Sequence, residues 1–155
     1  RLLLANLINA SASAALARRE CFTRLGKFDE TLRSIEDWDM WLRISEHYTI
    51  DRVLEPLTSI RHHVAGMQGD AFGMLQGTLA VYTKWFPVAK VRLEVMKVWG
   101  HMLGEYVLRS KDPDRARDHV EKHLSPEMKA ALFRRTFGSF SFYLSLKKMR
   151  RSIHG

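Results

Sequence analysis

Three carboxylates crowd into four residues at Glu36-Asp37-Trp38-Asp39, ahead of the apolar and aromatic stretch Met40-Trp41-Leu42-Arg43-Ile44-Ser45. Two roles fit such a cluster. A carboxylate at a helix start is kept ionised and aimed by backbone N–H groups and the helix dipole, which suits a general base that takes a proton from a hydroxyl. Acids at a helix start also act simply as caps, and the pattern alone favours that plainer role. Ser34 stands where a cap would, and Asp37 three residues on completes a capping-box-like pair. Asp39 precedes Arg43 by one helical turn, the spacing of an ion pair. Trp38, Trp41, Leu42 and Ser45 share one face at helical spacing, and Met40 and Ile44 widen it. The spacing therefore predicts a helix over 35–46, pinned into a core with its acidic end exposed. Either tryptophan could stack on a sugar ring, but at this spacing core packing is the simpler use.

Other reactive residue types carry weaker signals. Cys21 is the only cysteine, which excludes an intramolecular disulfide and fits a reducing compartment; no motif makes it a nucleophile, so it reads as a buried structural thiol. Asp-x-Asp strings occur at 37–39 and 112–114, yet neither follows a buried strand as a diphosphate–metal site should. Arg61-His62-His63 is otherwise a surface histidine pair beside a cation.

The elements that must position these groups follow from punctuation and periodicity. Leu2 to Ile8 is a short apolar run, helix or strand by pattern. Asn9 to Leu16 alternates as a tightly packed strand, and Arg18 to Leu25 as a helix stopped by Gly26. Lys27 to Arg33 is a loop. Strands are predicted over Tyr48 to Leu54 and Leu57 to His62, separated by Pro56. Glycines at 66, 69, 73 and 77 mark a change of composition, which puts a regional boundary near residue 70. Beyond it the pattern is helical: Ala71 to Phe86 ended by Pro87, Val88 to Leu108, a helix opened by Asp112-Pro113 and another by Ser125-Pro126-Glu127.

One ordered series spans residues 5 to 68: small residues at Asn9-Ala10-Ser11-Ala12-Ser13, then Arg18-Arg19-Glu20, Leu25-Gly26-Lys27-Phe28-Asp29-Glu30, Glu36-Asp37-Trp38-Asp39, Glu55-Pro56-Leu57 and Arg61-His62-His63. The series resembles the C-terminal, acceptor-side half of a family 2 glycosyltransferase of the GT-A fold. The resemblance implies an α/β architecture, the C-terminal part of a GT-A nucleotide-diphospho-sugar transferase fold over 1–70, followed by an all-α, basic region over 71–155. It implies inverting transfer of a sugar from a nucleotide-sugar donor to a hydroxyl on a glycan or lipid-linked acceptor, with Mg2+ or Mn2+ on the diphosphate. Asp37 would be the catalytic base. Glu36 would bind acceptor hydroxyls, Phe28, Asp29 and Glu30 would line the acceptor site, Arg61 would neutralise leaving-group charge, and His63 would reach the metal or diphosphate. The nucleotide-binding half is expected to lie outside this chain, which opens on Arg1 directly into an apolar run, as a fragment or processed product would. On that expectation the 155 residues alone turn over little or no donor.

Charge divides the chain at the same place. Residues 1–70 hold 9 Lys/Arg against 10 Asp/Glu, whereas 71–155 hold 16 against 7. No acid follows Glu127, while cations recur from Lys129 to Arg151 among Phe133, Phe137, Phe140, Tyr143, Leu144 and Leu146. Such a segment docks its apolar face on the protein, or lies over 129–151 on an anionic membrane surface; no recognised motif points to nucleic acid. No run supplies the roughly 18–20 apolar residues of a spanning helix, so a cytoplasmic protein, peripheral at the inner face of the cell membrane, is the expectation. The competing reading is a non-enzymatic, basic helical interaction module in which Glu36 and Asp37 only cap a helix.

Overall fold

A computed structural model describes residues 2–8, 12–59, 69–133, 140, 144 and 145. All regular structure among them is helical: a 3-10 turn at Ala12–Ala14, then α1 (Arg19–Leu25), α2 (Glu36–His47), α3 (Ala71–Ala89), α4 (Leu93–Arg109), α5 (Pro113–His123) and α6 (Pro126–Leu132). None of the described helices is long and apolar enough to cross a membrane.

This overturns the expected α/β class, and with it the resemblance to the GT-A, family 2 glycosyltransferases, a fold built around a β-sheet. The stretch Tyr48 to Leu54 alternates, but 49–59 forms no strand. Alternation makes a strand only when a partner takes up its N–H and C=O groups, and no described segment pairs with it. Ile50, Val53, Leu54 and Leu57 are left exposed. The expected strand over Asn9 to Leu16 is instead a 3-10 turn where it is described. The part of the second strand at 60–62 lies outside the described residues, as do Arg61 and His63.

The helical half follows its sequence at most helix starts and stops, but the helix expected from Val88 begins only at Leu93, and Val88 belongs to α3. Asp112 accepts a hydrogen bond from Arg115 N–H at 3.0 Å and Ser125 one from Met128 N–H at 3.2 Å, each with proline in the first turn. Both cap residues thus satisfy orphan donors where an imino residue lacks one. Pro87, however, does not end α3, which continues to Ala89. A proline in the last turn removes only its own bond to Thr83, and both residues are exposed, so water can satisfy that carbonyl.

Helices α3 and α4 form an antiparallel hairpin about the turn Lys90–Arg92. Tyr82 and Trp99, nearly equidistant from that turn, stack with centroids 3.9 Å apart and planes 4° from parallel. The Tyr82 hydroxyl reaches Met102 Sδ at 3.3 Å. α5 and α6 close the other side through Ala116, Val120, Met128 and Leu132, and Phe140 and Leu144 are buried in the same core. Those two positions of the tail therefore dock on the protein. A second, smaller core joins Cys21 of α1 to Met40, Trp41 and Ile44 of α2, which bears out the structural reading of the thiol. Helix α2 lies between the cores, with Trp38 and Leu42 turned into the larger one. Both tryptophans are thus core residues, while Ser45 is exposed.

Candidate functional site

The N-terminal segment lies over the start of α2 because two buried indoles hold it there. Trp38 Nε1–H donates to Leu2 O at 2.8 Å and Trp99 Nε1–H to Leu3 O at 2.6 Å. Asn6 follows, and its side-chain oxygen accepts from Ile8 N–H at 3.3 Å. That bond orients the amide, so its Nδ2–H faces Asp37 Oδ1 at 3.3 Å. Asp37 Oδ1 also accepts from Trp38 N–H at 2.7 Å. One carboxylate oxygen is thereby anchored twice, the carboxyl takes a further bond from its own backbone N–H, and no hydrogen bond or ion pair from another described residue reaches Oδ2. Burial pushes the Asp37 carboxyl above its ordinary 3.8, and the adjacent Glu36 charge pushes the same way; the bonds from Trp38, Asn6 and its own backbone N–H offset part of this.

The entry to α2 departs from the expected cap. Ser34 makes no capping bond. Its hydroxyl is buried and donates to Gly73 O of α3 at 2.9 Å. The N-cap position falls on Ile35, whose φ of 64° is left-handed. For a β-branched residue this is a strained conformation, costing on the order of 1–3 kcal/mol. Surrounding structure holds it: Ile35 packs on the larger core, and its carbonyl accepts from Trp38 N–H at 3.1 Å and Asp39 N–H at 3.4 Å. Gly77 lets this entry press against α3, since a Cβ there would meet Ser34 O at 2.5 Å. Backbone strain next to a half-buried carboxylate is a pattern found at functional sites, where rigid surroundings hold a group in place.

The inner side of α2 is organised differently. Asp39 is fully buried at 0% side-chain exposure and pairs with Arg43 Nε at 3.0 Å, as the sequence spacing foretold. It also takes Trp85 Nε1–H at 2.9 Å and Lys84 Nζ at 2.9 Å. Arg43 carries on to Leu25 O at 2.7 Å and Lys27 O at 2.8 Å, fastening the end of α1 and the loop after it. Lys84 reaches Asp29 at 3.0 Å. Burial opposes the charge on Lys84, but its bonds to Asp39 and Asp29 outweigh this and raise its pKa. Bonds from Thr31 and Lys84 hold the Asp29 carboxyl down at about 2.

The residues expected to line an acceptor site therefore divide. Glu36 and Asp37 stand together, half-buried, at the mouth of α2. Phe28 packs against Phe22 at 5.9 Å in the smaller core, Asp29 is committed to Lys84, and Glu30 is exposed. No described hydrogen bond or ion pair joins that loop to Asp37. Asn6 and Lys84 were not singled out from sequence, although each leaves a trace there. Asn6 interrupts an apolar run, and Lys84 is the lone charge in α3.

The described residues do not suit a divalent cation. Asp39 is saturated by cations and an indole N–H, Asp112 caps α5, and Asp114 pairs with Arg117 at 3.1 Å. No three His, Cys, Asp or Glu side chains converge among the described residues. Comparison with protein families, curated proteins and solved structures gives no match to this chain.

Proposed function

We propose that Asp37 is a general base that takes a proton from an acceptor hydroxyl, and that the chain is the acceptor-activating portion of a transferase moving a sugar from a nucleoside-diphosphate donor. The observation that carries this reading is the division of labour within one carboxylate. Oδ1 is fixed by Asn6 and Trp38, while no other described residue bonds Oδ2, which leaves it lone-pair capacity for an incoming O–H. A base works best when its pKa approaches the working pH, and burial moves Asp37 in that direction. As the hydroxyl attacks, its proton passes to Oδ2, and the half-buried setting strengthens that hydrogen bond relative to water. Glu36 sits one residue away and would accept from a second hydroxyl of the same acceptor. A mere cap would need neither the anchoring by Asn6 nor the strained Ile35. The sugar as the transferred group is taken from the order of residue types between Asn9 and His63 and not from the fold, which is not that of the GT-A enzymes.

The test is Asp37→Asn in the complete gene product, assayed as nucleoside-diphosphate release from a panel of nucleotide-sugars with glycan acceptors. A drop in kcat of about 100-fold or more is expected, with helicity and melting temperature nearly unchanged. A folded Asp37→Asn protein that keeps activity within a few-fold of the parent refutes the assignment.

A further inference from the structure

The turn of the α3–α4 hairpin exposes apolar side chains that the core does not need. Val88, Val91 and Leu93 are 48%, 80% and 47% exposed, whereas Phe86, Ala89, Val95 and Met96 already seal the inside of the hairpin. Lys90 and Arg92 alternate with the exposed apolar residues. Lys97 is exposed one turn beyond Leu93. The acids nearby are Glu94 and Glu127, the latter meeting Lys90 at 3.0 Å. Arg92 has no ion-pair partner among the described residues.

A hairpin turn presents its exposed side chains outward at an end of the helical layer. Apolar tips set among cations match the boundary of an anionic bilayer, where acyl chains take the tips and headgroups take the charges. The cation excess of residues 71–155, 16 Lys/Arg against 7 Asp/Glu, adds long-range attraction of the same sign. We infer that the turn Pro87–Leu93 is an interfacial anchor that inserts Val88, Val91 and Leu93 into an anionic lipid surface. This contact is separate from the tail at 129–151 and independent of the role of Asp37.

The whole chain is mixed with phosphatidylcholine vesicles with or without phosphatidylglycerol, and bound protein is measured by flotation. Binding is expected only with phosphatidylglycerol, weakening as salt rises. The double substitution Val91→Asp with Leu93→Asp should weaken it by about tenfold or more while circular dichroism and melting stay unchanged. Arg92→Gln should flatten the salt dependence. No binding at low salt overturns the inference. So does undiminished binding by the double variant, which would place the contact in the tail.

Discussion

At the mouth of α2, Asp37 has an uncharged amide and the Trp38 N–H on one oxygen, and no other described residue bonds the second. On the inner side of the same helix, Asp39 is enclosed by Arg43, Lys84 and the Trp85 indole. Two residues on a helix are separated by about 200° of rotation, so neighbours in sequence meet opposite surroundings. Asp39 is the more buried and Asp37 the less satisfied. A charge deep in a protein persists only when its hydrogen-bonding capacity is filled, which spends Asp39 on structure: it ties α2 to α3 directly, and through Arg43 and Lys84 holds the loops at 25–29. A carboxylate at the edge can remain partly unfilled because water reaches it, and that unfilled oxygen is what a proton-transfer site requires.

The contrast can be broken in order of expected effect. Asp39→Ala leaves Lys84 and Arg43 without their shared anion and the Trp85 N–H without an acceptor. A loss of about 3–5 kcal/mol of stability is expected in urea titration, and a loss under 1 kcal/mol would mean the inner cluster contributes little. Gly77→Ala forces a Cβ onto Ser34 and should cost about 1–3 kcal/mol through displacement of the α2 entry. It should also lower the activity assigned to Asp37, whereas an equal change at the exposed Gly69 should do neither. Asp37→Asn should cost at most about 1 kcal/mol in stability, so its activity and its fold separate where those of Asp39 do not.

The smallest effect sharpens the comparison through protons. Asn6→Ala removes a hydrogen bond that lowers the Asp37 pKa, so the pKa, already above 3.8, should rise further. A carboxyl raised in the folded state binds more protons there than in the unfolded chain. Its contribution to stability is therefore greatest below the unfolded value and declines as pH rises through the folded one. Titration of the Asp37 carboxyl by NMR in both proteins checks this: an unchanged or lowered pKa in Asn6→Ala would show that the amide does not act on the base.

Many of the helix boundaries and one local ion pair were legible in advance. The starts of α5 and α6 were marked by Asp112-Pro113 and Ser125-Pro126, the stop of α1 by Gly26, and the Asp39–Arg43 pair by its spacing. These depend on contacts within one or two turns, so nearby residues suffice to specify them. The expected strand over 48–54 failed for the opposite reason, since a strand is completed by a distant partner that its own alternation does not identify. Pro87 misled because its cost depends on whether the freed carbonyl meets water.

The candidate site divides along the same line. The amino-acid sequence by itself determined that acids would gather at the start of a helix and that the following residues would face a core. Only the tertiary structure decided that Ser34 turns to Gly73, that Ile35 is held left-handed, that Asn6 fixes one oxygen of Asp37, and that Lys84 joins Asp29 to Asp39. Those partners lie 31 to 55 positions apart, apart from the local turn at Ile35. Their meeting depends on how helices and segments pack, because a side chain's burial and hydrogen-bond partners are set by whatever the rest of the chain brings against it.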